Sequence, residues 1–158
     1  MIRYGLPAIA ALLAACAPDP APGAPAPQAT QLGVPQSGLK EMMLTIRSAG
    51  GVHRFAVEVA ASAEQQQHGM MFRTSIGPDE GMIFPYDPPQ NVGFWMKNTL
   101  IPLDMIFIRA DGTIARIATA VPHSLDPVPA GEPVAAVLEI AGGRAAELGI
   151  REGDRVEW

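Results

Sequence analysis

The sequence contains a single cysteine, Cys16, and fewer basic than acidic residues. Apart from Cys16, the chain has no thiol for a disulfide, a cysteine nucleophile or a thiolate metal site. Eleven Lys and Arg against sixteen Asp and Glu give a formal charge of −5, and the basic residues are scattered. Because phosphate binding needs a clustered basic surface, no nucleic acid partner is expected.

Motifs of hydrolases and nucleotide-binding enzymes are also missing. The sequence has no Gly-x-Ser-x-Gly elbow, no His-Glu-x-x-His and no glycine-rich phosphate loop. Methionines lie near His68 in the sequence, and thioethers bind Cu(I), but methionine at helical or strand spacing is more often core filler. The three histidines are far apart and lack metal-binding spacing. We therefore predict no metal site and no cofactor, and an enzymatic function is not favoured.

The N-terminus has the pattern of an export signal. In residues 1–15, Arg3 precedes an apolar segment that is too short to span a bilayer. The sequence Leu13-Ala14-Ala15-Cys16 resembles the bacterial lipoprotein signal, which predicts a lipid anchor on Cys16; a plain secretory signal is the alternative. Ala17, in place of an aspartate, is what such signals imply for transfer to the outer membrane. The predicted location is the cell envelope, with the protein anchored in the outer membrane and facing the periplasm.

Composition then divides the remaining chain in two. Residues 16–38 are rich in Pro and Ala with almost no charge or large apolar side chain, which predicts a tether that cannot form a core. Residues 39–158 are predicted to form a single globular domain.

Local patterns within this domain predict mostly strands. Alternating apolar residues indicate a hairpin that turns at Ala49-Gly50-Gly51, and another whose strands, 103–108 and 113–119, are joined by Asp111-Gly112. Further strands are predicted at 134–140 and 155–157. The predicted fold class is α+β, mostly antiparallel β in a barrel-like or sandwich arrangement, with one main helix.

The predicted helix follows the first hairpin. Ser62 and Gln65 have the spacing of a capping box, so the helix begins there and is expected to continue to about Phe72. Pro85 is expected to end a short apolar run, and residues 85–93 are predicted to be an irregular loop.

The segment from Phe94 to Ile108 mixes aromatic and branched residues with polar ones. Alternation predicts one strand over residues 94–98 and another over 103–108 that is apolar on both faces except for Asp104. A buried carboxylate must be paired or hydrogen-bonded. One hypothesis is a pocket for an anionic or hydroxyl-rich ligand, formed by Arg73, Trp95, Met96, Lys97, Asn98 and Asp104. In the alternative, Asp104 is structural and accepts hydrogen bonds from the turn at Thr99 to Pro102.

A second acid, Glu139, lies between Leu138 and Ile140 in the strand predicted at 134–140. It is interpreted as facing solvent from one side of an antiparallel sheet.

Several of these segments together resemble a known family. They are Gly69-Met70-Met71-Phe72-Arg73, Gly81-Met82-Ile83-Phe84, Phe94-Trp95-Met96-Lys97-Asn98-Thr99, Ile101-Pro102-Leu103-Asp104 and Val137-Leu138-Glu139. In this order and spacing the chain is identified as a member of the domain of unknown function 192 family, over about residues 41–157. The resemblance implies a compact, mostly β domain with one helix, commonly exported or lipid-anchored in bacteria, and it implies no established reaction.

Three functions remain open. The favoured one is an envelope-anchored module that binds a small ligand or a component of the cell envelope. The second is an enzyme that acts on an envelope carbohydrate or peptide with Asp104 as the general base. The third is a protein interaction module, in which Trp95 and residues 85–93 contact a partner.

Overall fold

The computed structural model describes Met1 and residues 37–158. The predicted signal peptide, the lipidation of Cys16 and nearly all of the predicted tether lie outside these residues. Nine strands and two short helices follow in chain order. They are β1 (Glu41–Ser48), β2 (Gly51–Val59), α1 (Ala63–His68), β3 (Glu80–Gln90), β4 (Gly93–Phe94), β5 (Leu103–Ile108), β6 (Ile114–Ala120), β7 (Val128–Pro129), β8 (Val134–Ala141), α2 (Arg144–Glu147) and β9 (Arg155–Glu157).

Seven strands form one sheet in the order β6-β5-β8-β3-β2-β1-β9. All neighbours are antiparallel except β2 and β3, which are parallel and are connected through α1. The sheet curls until its ends meet, because Thr113 forms a bridge with Arg155 of β9. The predicted class of α+β with mostly antiparallel strands is confirmed.

Two apolar clusters cover the two faces of this sheet. The inner cluster draws side chains from all seven strands and from α2, with Phe55, Ile106 and Leu138 completely buried. The outer cluster packs on β3, β5 and β8 and is closed by loop residues such as Met70 and Met96. Every side chain of β5 is buried, as expected for a strand that is apolar on both faces.

Local signals account for the elements that were predicted correctly. The capping box is present, since the Ser62 side chain accepts from the Gln65 amide while the Gln65 side chain accepts from the Ser62 amide. In the hairpin of β5 and β6, Asp111 Oδ1 accepts from the Thr113 amide at 2.9 Å. The helix α1 ends at His68, however, and not near Phe72, because Gly69 and the residues after it leave helical geometry.

Two predictions about loops and strands were wrong. Residues 85–90 continue β3 and do not form a loop. The pairing of β3 with β8 is irregular between Pro85 and Gln90, and a strand tolerates prolines where no regular ladder of hydrogen bonds needs their missing N–H groups. Conversely, the predicted strand at 94–98 is reduced to Gly93–Phe94. Asn98 has φ 56°, which is incompatible with a strand, so the assignment of side chains to alternating faces fails there. Among residues 37–158, no helix is long and apolar enough to cross a membrane.

Candidate functional site

Three loops meet beside the outer apolar cluster. They are the segments 70–73, 95–101 and 121–125, and we call them the site loops. Backbone hydrogen bonds tie them together: the Phe72 amide donates to the Asn98 carbonyl at 2.9 Å, and the His123 amide donates to the Thr99 carbonyl at 3.2 Å. The Met96 amide donates to the Ser124 carbonyl at 2.9 Å. The loops therefore form one connected unit.

Backbone strain is concentrated in these loops. Within residues 37–158, three residues other than glycine have a positive φ, namely Phe72 at 64°, Asn98 at 56° and His123 at 63°, one in each loop. Such a conformation is uncommon, particularly for a bulky residue such as Phe72, and strained residues cluster at functional sites.

The site loops also expose large apolar side chains. Phe72, Trp95, Leu100, Val121 and Leu125 are all exposed, with Trp95 47% accessible. The other exposed large apolar residues of the described chain, Met1, Val52 and Trp158, lie outside the loops. An apolar rim of this kind marks a surface that binds a ligand or a partner.

A small cavity of about 40 Å³ lies beneath the loops, beside the end of α1. Its wall combines aromatic, thioether, amide and hydroxyl groups. The lining residues are Gln66, Gln67, His68, Gly69, Met70, Met71, Phe84, Phe94, Trp95, Thr99 and Glu139. An open groove of about 320 Å³ adjoins it, shares Gln66, Gln67, Phe94 and Trp95 with it, and continues past Tyr86. The cavity is thus the deep end of a larger concave surface.

Glu139 is the acidic residue among those that line this cavity, and it forms the floor. It lies on β8 between Met82 of β3 and Met105 of β5, and its side chain is on the outer face of the sheet. The residue is only 4% exposed. Within the described part of the chain, no hydrogen bond or salt bridge satisfies its carboxyl group. The interpretation of Glu139 as a solvent-facing acid was therefore wrong.

Burial dominates the titration of Glu139. It raises the pKa of this carboxyl from 4.5 to about 8, and the nearby Arg73 guanidinium opposes the shift only in part. Burial also raises the pKa of Tyr86 to about 12, and the Glu139 carboxylate adds to that effect. The Arg73 charge therefore acts on the pKa of Glu139 and the Glu139 charge on that of Tyr86, and Glu139 is mostly protonated at neutral pH.

A buried ion pair lies next to this floor. The Arg73 guanidinium donates to both carboxylate oxygens of Glu58, at 3.1 Å between Nη1 and Oε1, and the side chains are 10% and 6% exposed. The Ser37 hydroxyl also donates to Glu58. Glu58 and Glu139 are the cross-strand neighbours of Met82 on its two sides, so the two acids lie one strand apart on the same face.

The other predicted site residues occupy the site loops in different ways. Lys97 Nζ lies 5.1 Å from the centre of the Trp95 ring, a cation–π contact at the rim. Asn98 Nδ2 approaches Met71 Sδ at 3.8 Å. Met96 is 1% exposed and belongs to the core, so its side chain does not face a ligand.

Asp104 is separate from this group, because it lies on the same face of β5 as Ile106, the inner one. Its Oδ1 accepts from Thr119 Oγ1 at 2.6 Å and from the Gly143 amide at 2.9 Å, and its Oδ2 accepts from the Ala145 amide at 2.9 Å. The carboxylate thus caps the start of α2. It is structural, as in the alternative hypothesis.

The predicted partners of Asp104 were nevertheless wrong. Arg73, Lys97 and Asn98 do not bind it, and neither does the turn at Thr99 to Pro102. Asp104 is also only 1% exposed, which is unfavourable for a general base that must reach a substrate proton. Ligand binding by the remaining predicted residues stays a prediction.

One sequence signal could have identified Glu139. Like Asp104, it is an acid in a strand whose residues are apolar on both faces, with Val137 on its own side and Leu138 and Ile140 on the other. No local pattern indicated Glu58, His68 or Tyr86, because sheet pairing and loop packing bring them to the site. Among residues 37–158, no group of three or more His, Cys, Asp or Glu side chains is arranged to hold a metal ion.

Fold and site define a small curled-sheet domain with a polar cavity beneath strained loops. The family model DUF192, described as "Uncharacterized ACR", matches residues 44–158, and the chain belongs to this family. The family membership predicted from the motifs is thus confirmed.

Solved structures that are similar to this chain include the following two. One is a protein of unknown function from Novosphingobium aromaticivorans DSM 12444, at 50% identity and a TM-score of 0.77, covering 78% of this chain and 89% of that one. The other, from Sinorhizobium meliloti 1021, is described as a proposed transcription regulator, at 42% identity and a TM-score of 0.73, covering 75% of this chain and 94% of that one. A search of curated proteins finds no match.

Proposed function

We propose that this protein is a small-ligand-binding module of the bacterial cell envelope, and that its ligand occupies the cavity at Glu139 and the groove along Phe94 and Trp95. The observation that carries this proposal is the carboxyl group of Glu139, a residue that is only 4% exposed, lines a cavity and accepts no hydrogen bond from residues 37–158. Buried polar groups are nearly always satisfied, so such a group requires an explanation. A bound ligand supplies the missing partner.

Two further features support a binding site at this position. Concave surfaces with aromatic walls and a few convergent polar groups are the usual form of small-molecule sites, and a perturbed pKa adds to that inference. The strained residues Phe72 and Asn98 directly adjoin Met71 and Thr99 of the cavity wall, and the amide of the third, His123, donates to the Thr99 carbonyl, so the strain can hold this wall in a defined shape.

The envelope location rests on the N-terminal sequence. The apolar leader that ends in Leu13-Ala14-Ala15-Cys16 supports export and lipidation, and the Pro- and Ala-rich segment after it supports a tether between membrane and domain. In this proposal the partners are the membrane, through the lipid, and a small envelope ligand. The description of the S. meliloti relative concerns that protein; here a formal charge of −5 favours no nucleic acid partner.

Ligand-induced thermal stabilisation tests the binding proposal. The purified protein is screened against soluble envelope fragments, namely sugars, amino sugars, cell-wall peptides and lipid headgroups, because a ligand that binds only the folded state raises the Tm. We expect a rise with one class of fragment, a much smaller rise for Glu139→Gln, and an unchanged rise for the control Glu152→Gln on the exposed surface. No stabilisation by any class, or equal stabilisation of Glu139→Gln, would contradict the proposed site.

Metabolic labelling tests the anchor separately. The full-length chain should incorporate labelled palmitate and sediment with membranes, and Cys16→Ser should abolish both properties. If Cys16→Ser retains label and membrane association, the anchor is not at this residue.

A further inference from the structure

The dimensions of the cavity restrict what can reach Glu139. A volume of about 40 Å³ is small, since a water molecule needs about 10–15 Å³ on this measure. The space therefore favours a small end group of a ligand over its bulk. The rest of the ligand must lie in the adjoining groove of about 320 Å³, which offers the Gln66 and Gln67 side chains and the Trp95 ring.

The charges around the cavity favour a cation as that end group. The Arg73 guanidinium is engaged by Glu58 and offsets the burial of Glu139 only in part, so an ionised Glu139 would lack a cation of its own among the described residues. A proton on Glu139 removes the charge in the empty site, and a ligand cation would remove it in the occupied one. An anionic end group would add to the imbalance.

The wall of the cavity also suits a cation. Phe84 and Phe94 meet edge to face, with ring centres 5.0 Å apart, and Trp95 completes the aromatic side. Aromatic rings next to a carboxylate are the usual environment for an ammonium group. A terminal –NH₃⁺ fits the available space, and it can donate to the Glu139 carboxylate, which lacks any other donor in the described chain.

We infer that the ligand carries a primary ammonium group that enters this cavity and replaces the proton of Glu139, so that binding releases a proton to the buffer. The inference rests on the proposed binding function and specifies the ligand class: an amino sugar or another compound that ends in an amine. The carboxyl loses its proton and forms an ion pair with the ligand.

The groups that face Glu139 from the surrounding elements define the conditions for a test. They are Tyr86 on β3, His68 at the end of α1, and Arg73 with its partner Glu58 on β2; β5 contributes only Met105. Binding is best measured between pH 7 and 8.5, because this window includes the Glu139 pKa of about 8. Burial raises the pKa of Tyr86 to about 12, well above this range.

Matched amine and amide probes test the inference. Glucosamine is compared with N-acetylglucosamine, and ethanolamine with N-acetylethanolamine, so that each pair differs in the charge and bulk of one group; the two pairs distinguish a sugar source from a headgroup source. We expect one amine to bind at least about tenfold tighter than its amide, equivalent to about 1.4 kcal/mol. Glu139→Gln should lose this preference while remaining folded.

Proton release provides a readout that a merely structural role of Glu139 would not change. With a pKa of about 8, Glu139 should release about 0.9 proton per bound amine at pH 7, measured by calorimetry in buffers of different ionisation enthalpy. In protein labelled with ¹³C at glutamate Cδ, the Glu139 signal is the one that the Glu139→Gln variant lacks. When the amine binds, this signal should move to the chemical shift of an ionised carboxylate.

The outcomes separate this inference from the proposed function. Equal binding of an amine and its amide, or tight binding without proton release, would overturn the ammonium assignment and leave a binding module with a neutral ligand. If none of the four probes binds but a neutral envelope fragment stabilises the protein through Glu139, the ammonium assignment is again wrong. Failure of all probes and all fragments would overturn both.

Discussion

Asp104 and Glu139 are two buried acids on adjacent strands of one sheet, and their surroundings are opposite. Asp104 on β5 is 1% exposed and accepts three hydrogen bonds from Thr119, Gly143 and Ala145. Glu139 on β8 is 4% exposed and accepts none from the residues that the structure describes. Similar burial therefore accompanies a fully engaged carboxylate on the inner face and an unengaged carboxyl on the outer face.

The difference follows from what each face of the sheet supplies. The inner side of β5 meets the start of α2, where backbone amides lack helical partners and an acceptor is required. The outer side of β8 meets Met82 and Met105, which offer no donor. Burial alone therefore does not distinguish an acid that holds the fold together from one that is available to a ligand; the donors around it do.

The largest loss of stability is expected from Asp104→Ala, which removes the structural one of the two buried acids. Removing the carboxylate leaves the Gly143 and Ala145 amides without an acceptor in a buried region, so we expect the free energy of unfolding to fall by about 3–6 kcal/mol. Urea denaturation measures it. Thr119→Val removes only one of the three bonds and should cost about 1 kcal/mol. Near-equal values for the two variants would contradict the role of Asp104 as the cap of α2.

A somewhat smaller loss is expected from Arg73→Met. The variant removes the guanidinium from a buried pair with Glu58 and should destabilise the fold by about 3–5 kcal/mol. Because the Arg73 charge lowers the pKa of Glu139, its removal should also move the Glu139 titration upward. Arg47→Met, at an exposed pair with Glu157, is the matched control and should leave stability unchanged. An unchanged Glu139 titration in Arg73→Met would show that the two groups are independent.

The pH dependence of stability tests the second buried acid, Glu139. The pKa of Glu139 rises from 4.5 to about 8 on folding, so the folded state retains a proton that the unfolded state has lost. The stabilisation from this group is complete below pH 4.5 and decreases as the pH rises towards 8, by at most about 1.4 kcal/mol per pH unit.

The Glu139→Gln variant cannot ionise at this position, so its stability should lack this dependence on pH. Relative to the variant, the wild-type protein should lose about 2–3 kcal/mol between pH 6 and pH 8, which urea denaturation at several pH values would measure. Parallel pH curves for the two proteins would mean that Glu139 titrates normally and is not the buried acid described above.

The smallest effect is expected at the rim. Lys97→Met removes an exposed cation–π contact with Trp95 at 5.1 Å and should change the free energy of unfolding by about 0.5 kcal/mol. If the contact also positions the Trp95 ring, the fluorescence of Trp95, measured in a Trp158→Phe background, should change with the substitution. A loss of several kcal/mol in Lys97→Met would show that the rim contributes to the core, and the distinction between fold and site would fail there.

Much of the fold could be predicted because its signals are local. The capping box of Ser62 and Gln65 and the Asp111-Gly112 turn each act within a few residues, and alternation correctly predicted β5 as a strand that is apolar on both faces. The errors arose where distant contacts override local preference. Pro85 lies inside a strand because the pairing of β3 with β8 is irregular there. The strand before Trp95 has only two residues because the next residue, Met96, forms its backbone hydrogen bond with another site loop.

The site was less predictable for the same reason. Asp104 was correctly identified as a buried acid, but its donors Gly143 and Ala145 are 39 and 41 residues away in the sequence. Glu139 has the same sequence signature, and only the order of strands in the sheet places it in the floor of the cavity. Of the predicted residues, Trp95 borders that cavity and Arg73 acts on its floor, whereas Met96 points into the core.

The closure of the curled sheet has a consequence for solubility. The Val156 amide donates to the Gly112 carbonyl at 2.8 Å, and the Ile114 amide donates to the Asp154 carbonyl at 2.9 Å, so the outer edge of β9 is occupied by the chain itself. An edge in this state offers few free backbone groups to a strand from another molecule, which is how β proteins avoid edge-to-edge aggregation. A deletion that removes β9 should therefore expose β1 as a new edge and promote self-association as well as unfolding.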